Sequence, residues 1–441
     1  MVVFGESVTV KNYKDTNGNR FNLVVRSNVF PVCLYLNAYL NGNHRSPYST
    51  KKYKFSSESP SFTTLKKYAY ELKFLYCHFT NKGISLPHRV NCGEFLSRSE
   101  IDDFIRVSKL YSNTKSIDYN NIVSISDKRI RDAIYATSTS QPQVSHHTFR
   151  QRVTRLKAYI EYLYVCYHYD RPLTDKKSCI DEKFRKFNIY INNFIKGSRR
   201  DNVYVKDSLE SVIPSENFFH LLDIIKESSS ENPFKSSKLR NKIIMQILIN
   251  TGVRIGAVLK LKISDLIYDW ANPRFLLTRT PNDPTDPRKD RPSNKTKALS
   301  VSIPLELMNL IKLYIQTVRI NHPKSSEHDF ILISEKGDTS GQPLTYNSIH
   351  KIVGKFGKSV GIKLHSHKLR HKWNEIFEDK AKQKGYSPEK IEDLRNYAMG
   401  WVENSKMASV YNEYQLALTV TEISLQNQRK SVPNLRGIHE S

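Results

Sequence analysis

The chain has 441 residues and a formal net charge of +26, with 69 Lys and Arg against 43 Asp and Glu, enough length for two or three domains with separate cores. The 25 tyrosines and 20 phenylalanines argue against a disordered basic arm, and cations distributed along the chain point to nucleic acid as partner, held with salt-sensitive affinity. The five cysteines (Cys33, Cys77, Cys92, Cys166 and Cys179) are odd in number and contain no Cys-x-x-Cys pair, which suits a reducing compartment without structural zinc. No charged-then-apolar leader opens at Met1 and no apolar run reaches membrane-spanning length, so the expectation is a soluble, cytoplasmic, nucleoid-associated protein with no membrane partner.

In chain order, residues 7 to 26 alternate around Asn17-Gly18, with Val8 and Val10 before it and Phe21, Leu23 and Val25 after it. This predicts a β-hairpin extension over 1–28. A helical domain follows over 29–198. One helix opens at Ser61, with Leu65, Tyr68, Leu72, Leu75 and Phe79 on one face and Gly83 as its stop. The next opens at Ser97, which with Glu100 forms a capping box. A third opens near Ser145, turns Phe149, Val153, Leu156, Ile160 and Leu163 inward, and carries Arg150, Arg152, Arg155 and Lys157 in its first turns. Those four cations read either as a phosphate grip on DNA or as an ordinary solvated helix face. A last helix covers about Ile180 to Ile195, and 199–212 is the candidate linker.

A second domain is expected over 213–425. Its first helix starts at Ile213-Pro214-Ser215. The next ends at Asn250-Thr251-Gly252, where the glycine caps the helix and Arg254 emerges at the start of another. Phe275–Arg279 and Ala298–Ile303 read as a strand pair, with Lys295 and Lys297 at the base of the second strand. Pro304 opens another helix, Tyr346 to Phe356 form one more, and Ser387-Pro388-Glu389 opens one that ends near Met399-Gly400. A helix carrying Tyr411 and Tyr414 follows, and 426–441 reads as a tail.

His365-Ser366-His367-Lys368-Leu369-Arg370-His371 concentrates proton-handling and anion-holding groups. Leu369, Trp373, Ile376 and Phe377 recur at helical spacing, so the segment reads as a helix start with Ser366 as a possible N-cap. His367 and Arg370 then lie one turn apart, where the free N–H groups of a helix start already favour an anion. A zinc site on His367 and His371 competes, but Arg370 repels a dication and no carboxylate stands between the histidines. A basic helix facing solvent is the third reading.

Five motifs now stand in order: Thr251-Gly-Val-Arg254, the hairpin Lys295-Thr, His367-Lys-Leu-Arg370-His371, Gly400-Trp401 and Met407-Ala-Ser-Val-Tyr411. In order and spacing they resemble the catalytic domain of phage integrases, the tyrosine recombinases, over roughly 213 to 415. The third helix of the first domain is similar to that family's core-binding domain. The resemblance implies a mainly α fold with a small β-sheet (α+β), in which a helical, SAM-like core-binding domain precedes the catalytic domain. It implies a site-specific recombinase or integrase that uses no ATP, metal or other cofactor. Tyr411 would be the nucleophile, Arg254 and Arg370 would hold the non-bridging oxygens, His367 would assist proton transfer, and Lys295 would protonate the leaving oxygen. Trp401 occupies the position of the family's His or Trp, with His371 in a supporting role. The implied partner is double-stranded DNA, bound as a homotetramer on two sites.

Ala257 stands where the family usually has an acid, and the interval from Trp401 to Tyr411 is one residue longer than usual. The longer interval makes Tyr414 a rival of Tyr411, and the long loop before Lys295 leaves the hairpin register open by a small shift, so Lys297 rivals Lys295 as the acid. A type IB topoisomerase, a telomere resolvase and a silent DNA-binding factor remain alternative outcomes of the same residues.

Overall fold

The computed structural model describes residues 7–14, 16, 20–27, 29–42, 60–110, 144–172, 174–197, 213–280, 283–289, 291–292, 294 and 296–401. The chain divides into two compact units, Met1–Tyr204 and Val205–Ser441, each with its own apolar core. No helix among the described residues is long and apolar enough to cross a membrane.

In the first unit, β1 (Val8–Lys14) and β2 (Arg20–Arg26) pair antiparallel from Val8↔Arg26 to Lys14↔Arg20. A short β3 (Phe30–Pro31) continues the sheet on the far side of β2. Beyond β3, helix α1 (Leu34–Asn41) completes that edge with side chains. Asn37 accepts from the Val24 N–H at 2.8 Å and donates to its carbonyl at 3.1 Å, and Asn41 does the same for Asn22 at 3.3 and 2.9 Å. Two amides four residues apart on one helix face thus satisfy a strand edge that would otherwise leave buried backbone groups unpaired.

The helices of this unit are α2 (Phe62–Asn81), α3 (Leu86–Asn91), α4 (Arg98–Ser108), α5 (His146–His168) and α6 (Asp175–Gly197). The Ser97–Glu100 capping box forms in both directions at α4, and the Ser145 hydroxyl caps α5 through the Thr148 N–H. Helix α5 is the central one, packing against α2, α3 and α6 with Val153, Leu156, Ile160 and Leu163 at most 1% exposed.

Two of the cations expected to hold phosphate belong to this core. Arg155 is 8% exposed. Its Nε donates to Glu71 at 2.9 Å, its Nη1 donates to the Tyr39 hydroxyl at 2.8 Å, and its guanidinium lies 3.3 Å over the Tyr68 ring. Arg152 donates to the carbonyls of Ser108 and Leu110 at 3.0 and 2.7 Å and stacks on Phe74. Both flank the inward stripe of α5, where a guanidinium is stable only when paired and hydrogen-bonded. Lys157 is half-buried and pairs with Glu161 at 3.2 Å, whereas Arg150 is exposed.

The second unit holds α7 (Ser215–Ile224), α8 (Lys238–Thr251), α9 (Ile255–Lys260), α10 (Leu305–Thr317), α11 (Tyr346–Ser359), α12 (Ser366–Gln383) and α13 (Pro388–Met399). A three-stranded sheet accompanies them: β4 (Leu266–Ile267), β5 (Arg274–Leu277) and β6 (Leu299–Ser302). The β5–β6 register runs from Arg274↔Ser302 to Leu277↔Leu299, and β4 is a strand that alternation over two residues cannot reveal. Helix α8 is the central helix of this unit: α9, α10, α11 and α12 pack on it, burying Ile243, Ile244, Ile247 and Leu248.

Candidate active site

The site is built at the ends of helices. Helix α8 stops at Gly252, whose φ of +59° is the left-handed conformation that glycine adopts without strain. A side chain there would also collide, since a Cβ would sit 2.8 Å from the Trp373 ring and 3.0 Å from Met399. Two residues later Arg254 is the N-cap of α9, half-buried.

Helix α12 enters from the other side. Its N-cap is His365, not Ser366: the His365 Nδ1 accepts from the Lys368 N–H at 3.3 Å, and Ser366 is the first helical residue, turned inward at 6% exposed. Arg370, one turn further on, is 3% exposed and donates from Nη1 to the Gly252 carbonyl at 2.5 Å. Trp373 donates from its indole to the Asn250 carbonyl at 2.9 Å, and Asn374 donates to the Arg370 carbonyl at 2.8 Å. The helical period of the sequence marks the positions of Trp373 and Asn374 but not the backbone carbonyls they reach.

His367 opens to solvent on one side. Crowding on the other, then the charges of Arg370, Arg254 and His350, hold its pKa below the ordinary 6.5. At neutral pH the ring is therefore uncharged and able to accept a proton. The His365 ring lies 6.4 Å from it and is lowered likewise, by burial and then by Lys368.

The third approach comes from α13, tied to α12 by the Arg395–Glu378 ion pair. It ends at Gly400, φ +61°. A Cβ there would lie 2.7 Å from Leu299 and 3.1 Å from Thr296, so the base of β6 packs directly on this turn, and the Lys297 N–H donates to the Gly400 carbonyl at 2.9 Å. Trp401 is 5% exposed, and the Arg370 guanidinium sits 5.7 Å from its ring centroid. On the hairpin side, Asn294 and Thr296 are buried and joined through the Asn294 Oδ1, which accepts from the Thr296 N–H and hydroxyl.

Arg254, His367, Arg370, Trp401 and the chain on both sides of position 295 thus converge. Lys297 is exposed, and Lys295, Tyr411 and Tyr414 lie outside the described residues. Arg150, Arg152, Arg155 and Lys157 are in the first unit. His371 is half-buried on α12, Ala257 is buried in α9, and among the described residues no three His, Cys, Asp or Glu side chains are grouped as metal ligands. Two guanidinium groups beside a neutral imidazole are a donor set of the kind that suits a tetrahedral anion.

Residues 212–415, just under half of the chain, match the model of the phage integrase family, the tyrosine recombinases. Transposase A from transposon Tn554 of Staphylococcus aureus is 25% identical over 319 residues, 72% of this chain and 74% of that protein. Tyrosine recombinase XerH of Campylobacter jejuni is 27% identical over 213 residues, 47% of this chain and 51% of its own. Among solved structures, a XerH site-specific recombinase bound to palindromic difH substrate, in a post-cleavage complex, aligns over 83% of this chain and 80% of that one, at 15% identity and TM-score 0.46.

Proposed function

We propose that the chain is a site-specific DNA recombinase in which Tyr411 attacks the scissile phosphorus. The Tyr411 oxygen–phosphorus bond forms, the bond from phosphorus to the 5′ oxygen breaks, and the DNA is left as a 3′-phosphotyrosyl ester with a free 5′-hydroxyl. His367 takes the phenolic proton and Lys295 gives one to the departing oxygen. Arg254 and Arg370 hold the two non-bridging oxygens, and Trp401 packs behind Arg370. Attack by a 5′-hydroxyl from a second duplex reverses the step and exchanges strands, the ester conserving the bond energy so that ATP is not required.

The observation that carries this reading is the bond from Arg370 to the Gly252 carbonyl. It ties one buried guanidinium to the turn bearing the other, and preorganised cations of this kind stabilise charge that develops in a transition state. On the same reading the protein assembles as a homotetramer on two sites of double-stranded DNA and acts in the cytoplasm at the nucleoid. In the first unit, the exposed Arg150 is left to meet phosphate, with Lys157 beside Glu161 a weaker candidate; in the second, Lys297 is available at the hairpin base.

A nicked suicide duplex tests the proposal. Wild type is expected to give a denaturation-resistant protein–DNA adduct, and Tyr411→Phe none. An adduct that survives in Tyr411→Phe overturns the nucleophile, and its absence from wild type leaves a DNA-binding factor without strand transfer. Junctions between two duplexes separate recombination from relaxation by a topoisomerase.

A further inference from the structure

The connection from β5 to β6 bears the lysine pair and is long for a hairpin, yet it is fastened like a core. Lys260, the last residue of α9, donates to the carbonyl and hydroxyl of Thr280. Lys262 pairs with Asp283 at 2.8 Å. Asp286 and Arg288 are then 1% and 6% exposed. The Arg288 guanidinium meets the carboxylate twice, at 2.9 and 2.8 Å, and its Nη1 spans the Leu259 and Leu344 carbonyls at 2.9 and 2.8 Å. Its flat face covers Phe330 at 4.5 Å.

A buried ion pair gains little net stability over apolar residues of the same size, because desolvation cancels most of the attraction. What it supplies is geometry: one planar fork fixed simultaneously to its own loop, to the end of α9 and to the chain entering α11. Helix α9 has Arg254 as its N-cap. The fastening therefore ties the loop to the same short helix that positions a phosphate-holding arginine.

We propose that Arg288, with Asp286, is a positioning residue for proton delivery to the leaving 5′ oxygen: it holds the loop whose sequence carries Lys295 against the helix that Arg254 caps. This rests on the strand-cleavage reading above. In that step the phosphorus–oxygen bond breaks and the oxygen leaves with the lysine's proton. If sulfur replaces the bridging oxygen, it leaves as a thiolate, which is stable near neutral pH and requires no proton.

The test compares wild type with Asp286→Asn/Arg288→Met, a pair that removes both charges together and keeps the stem over Phe330, and with Arg288→Lys, which keeps a charge but loses the fork. Adduct formation under single-turnover conditions is measured on suicide duplexes with oxygen or sulfur at the bridging 5′ position, together with DNA affinity and thermal unfolding. On the oxygen substrate both variants are expected to slow by roughly 10²-fold, the scale of an ångström-sized misplacement. On the sulfur substrate they approach the wild-type rate, with affinity unchanged. Equal slowing on both substrates, or wild-type rates on both, overturns the positioning role. If the double variant does not fold, Arg288→Lys carries the same comparison. Absence of adduct from wild type on both substrates rejects the cleavage reading itself, a result distinct from either of these.

Discussion

Arg370 spans 118 positions of sequence to hold the carbonyl oxygen of Gly252 at 2.5 Å. That carbonyl belongs to the turn that releases Arg254, so the two guanidinium groups share one piece of backbone. Three residues after Arg254 stands the buried Ala257, which offers no carboxylate, and it is the Gly252 carbonyl that fixes Arg370 to the α8–α9 turn.

Arg370→Lys keeps the charge and loses the fork. Adduct formation on a suicide duplex is expected to fall roughly 10²- to 10³-fold, the usual consequence of losing a preorganised donor. Urea unfolding is expected to show a loss of about 1–3 kcal/mol as the Gly252 carbonyl loses its partner. An unchanged rate would remove Arg370 from the chemistry.

Gly252→Ala is expected to destabilise the second unit by about 1–3 kcal/mol, because it combines a left-handed backbone with contact on Trp373. The measurement is chemical denaturation followed by Trp fluorescence. Adduct formation should fall further than stability alone explains, since the turn carries Arg254.

His367 gives the pH dependence its sign. Its folded pKa is lowered from 6.5, so the neutral, proton-accepting form persists below pH 6.5 and is lost only as pH falls through the lowered value. The acid limb of cleavage at subsaturating DNA should lie below pH 6.5 and flatten in His367→Gln. The same ring diminishes stability as pH falls from 6.5 to the lowered value, because there the unfolded chain binds the proton more readily than the folded one.

Arg150 and Arg155, five residues apart on α5, should separate cleanly. Arg150→Ala is expected to leave stability within about 0.5 kcal/mol of wild type and to reduce the slope of log affinity against log salt by about 1. Arg155→Ala leaves Glu71 buried without its cation and is expected to cost about 3–5 kcal/mol, with the salt slope unaltered where the protein still folds. Denaturation and DNA titration at several salt concentrations check both.

Features governed by neighbours in sequence were legible without the structure. The Ser97–Glu100 box, the Ser145 cap and the glycine turns at 252 and 400 depend on a few consecutive residues whose backbone chemistry admits few solutions. Features governed by distant partners were not. The burial of Arg155 depends on Glu71, 84 positions away, and nothing in the pattern of α5 distinguishes it from the exposed Arg150. His365 displaced Ser366 as cap because tertiary packing turned the serine inward. The Asp286–Arg288 fastening sits in a stretch whose Pro, Asp and Lys content reads as an ordinary loop, because the carbonyls that hold it come from Leu259 and Leu344. At the site the motifs supplied the residue types, while the Gly252–Arg370 bond and the contact between Gly400 and the hairpin base came only with the fold.

The covalent intermediate is identified by the mass of the residue joined to DNA. Wild-type adduct from a suicide duplex is digested with nuclease and protease, and the nucleotide-bearing peptide is sequenced by mass spectrometry. A single nucleotidyl-tyrosine at Tyr411, joined through a 3′-phosphate, is the expected result. A nucleotide on Tyr414, on a residue of the first unit, or joined through a 5′-phosphate would contradict it.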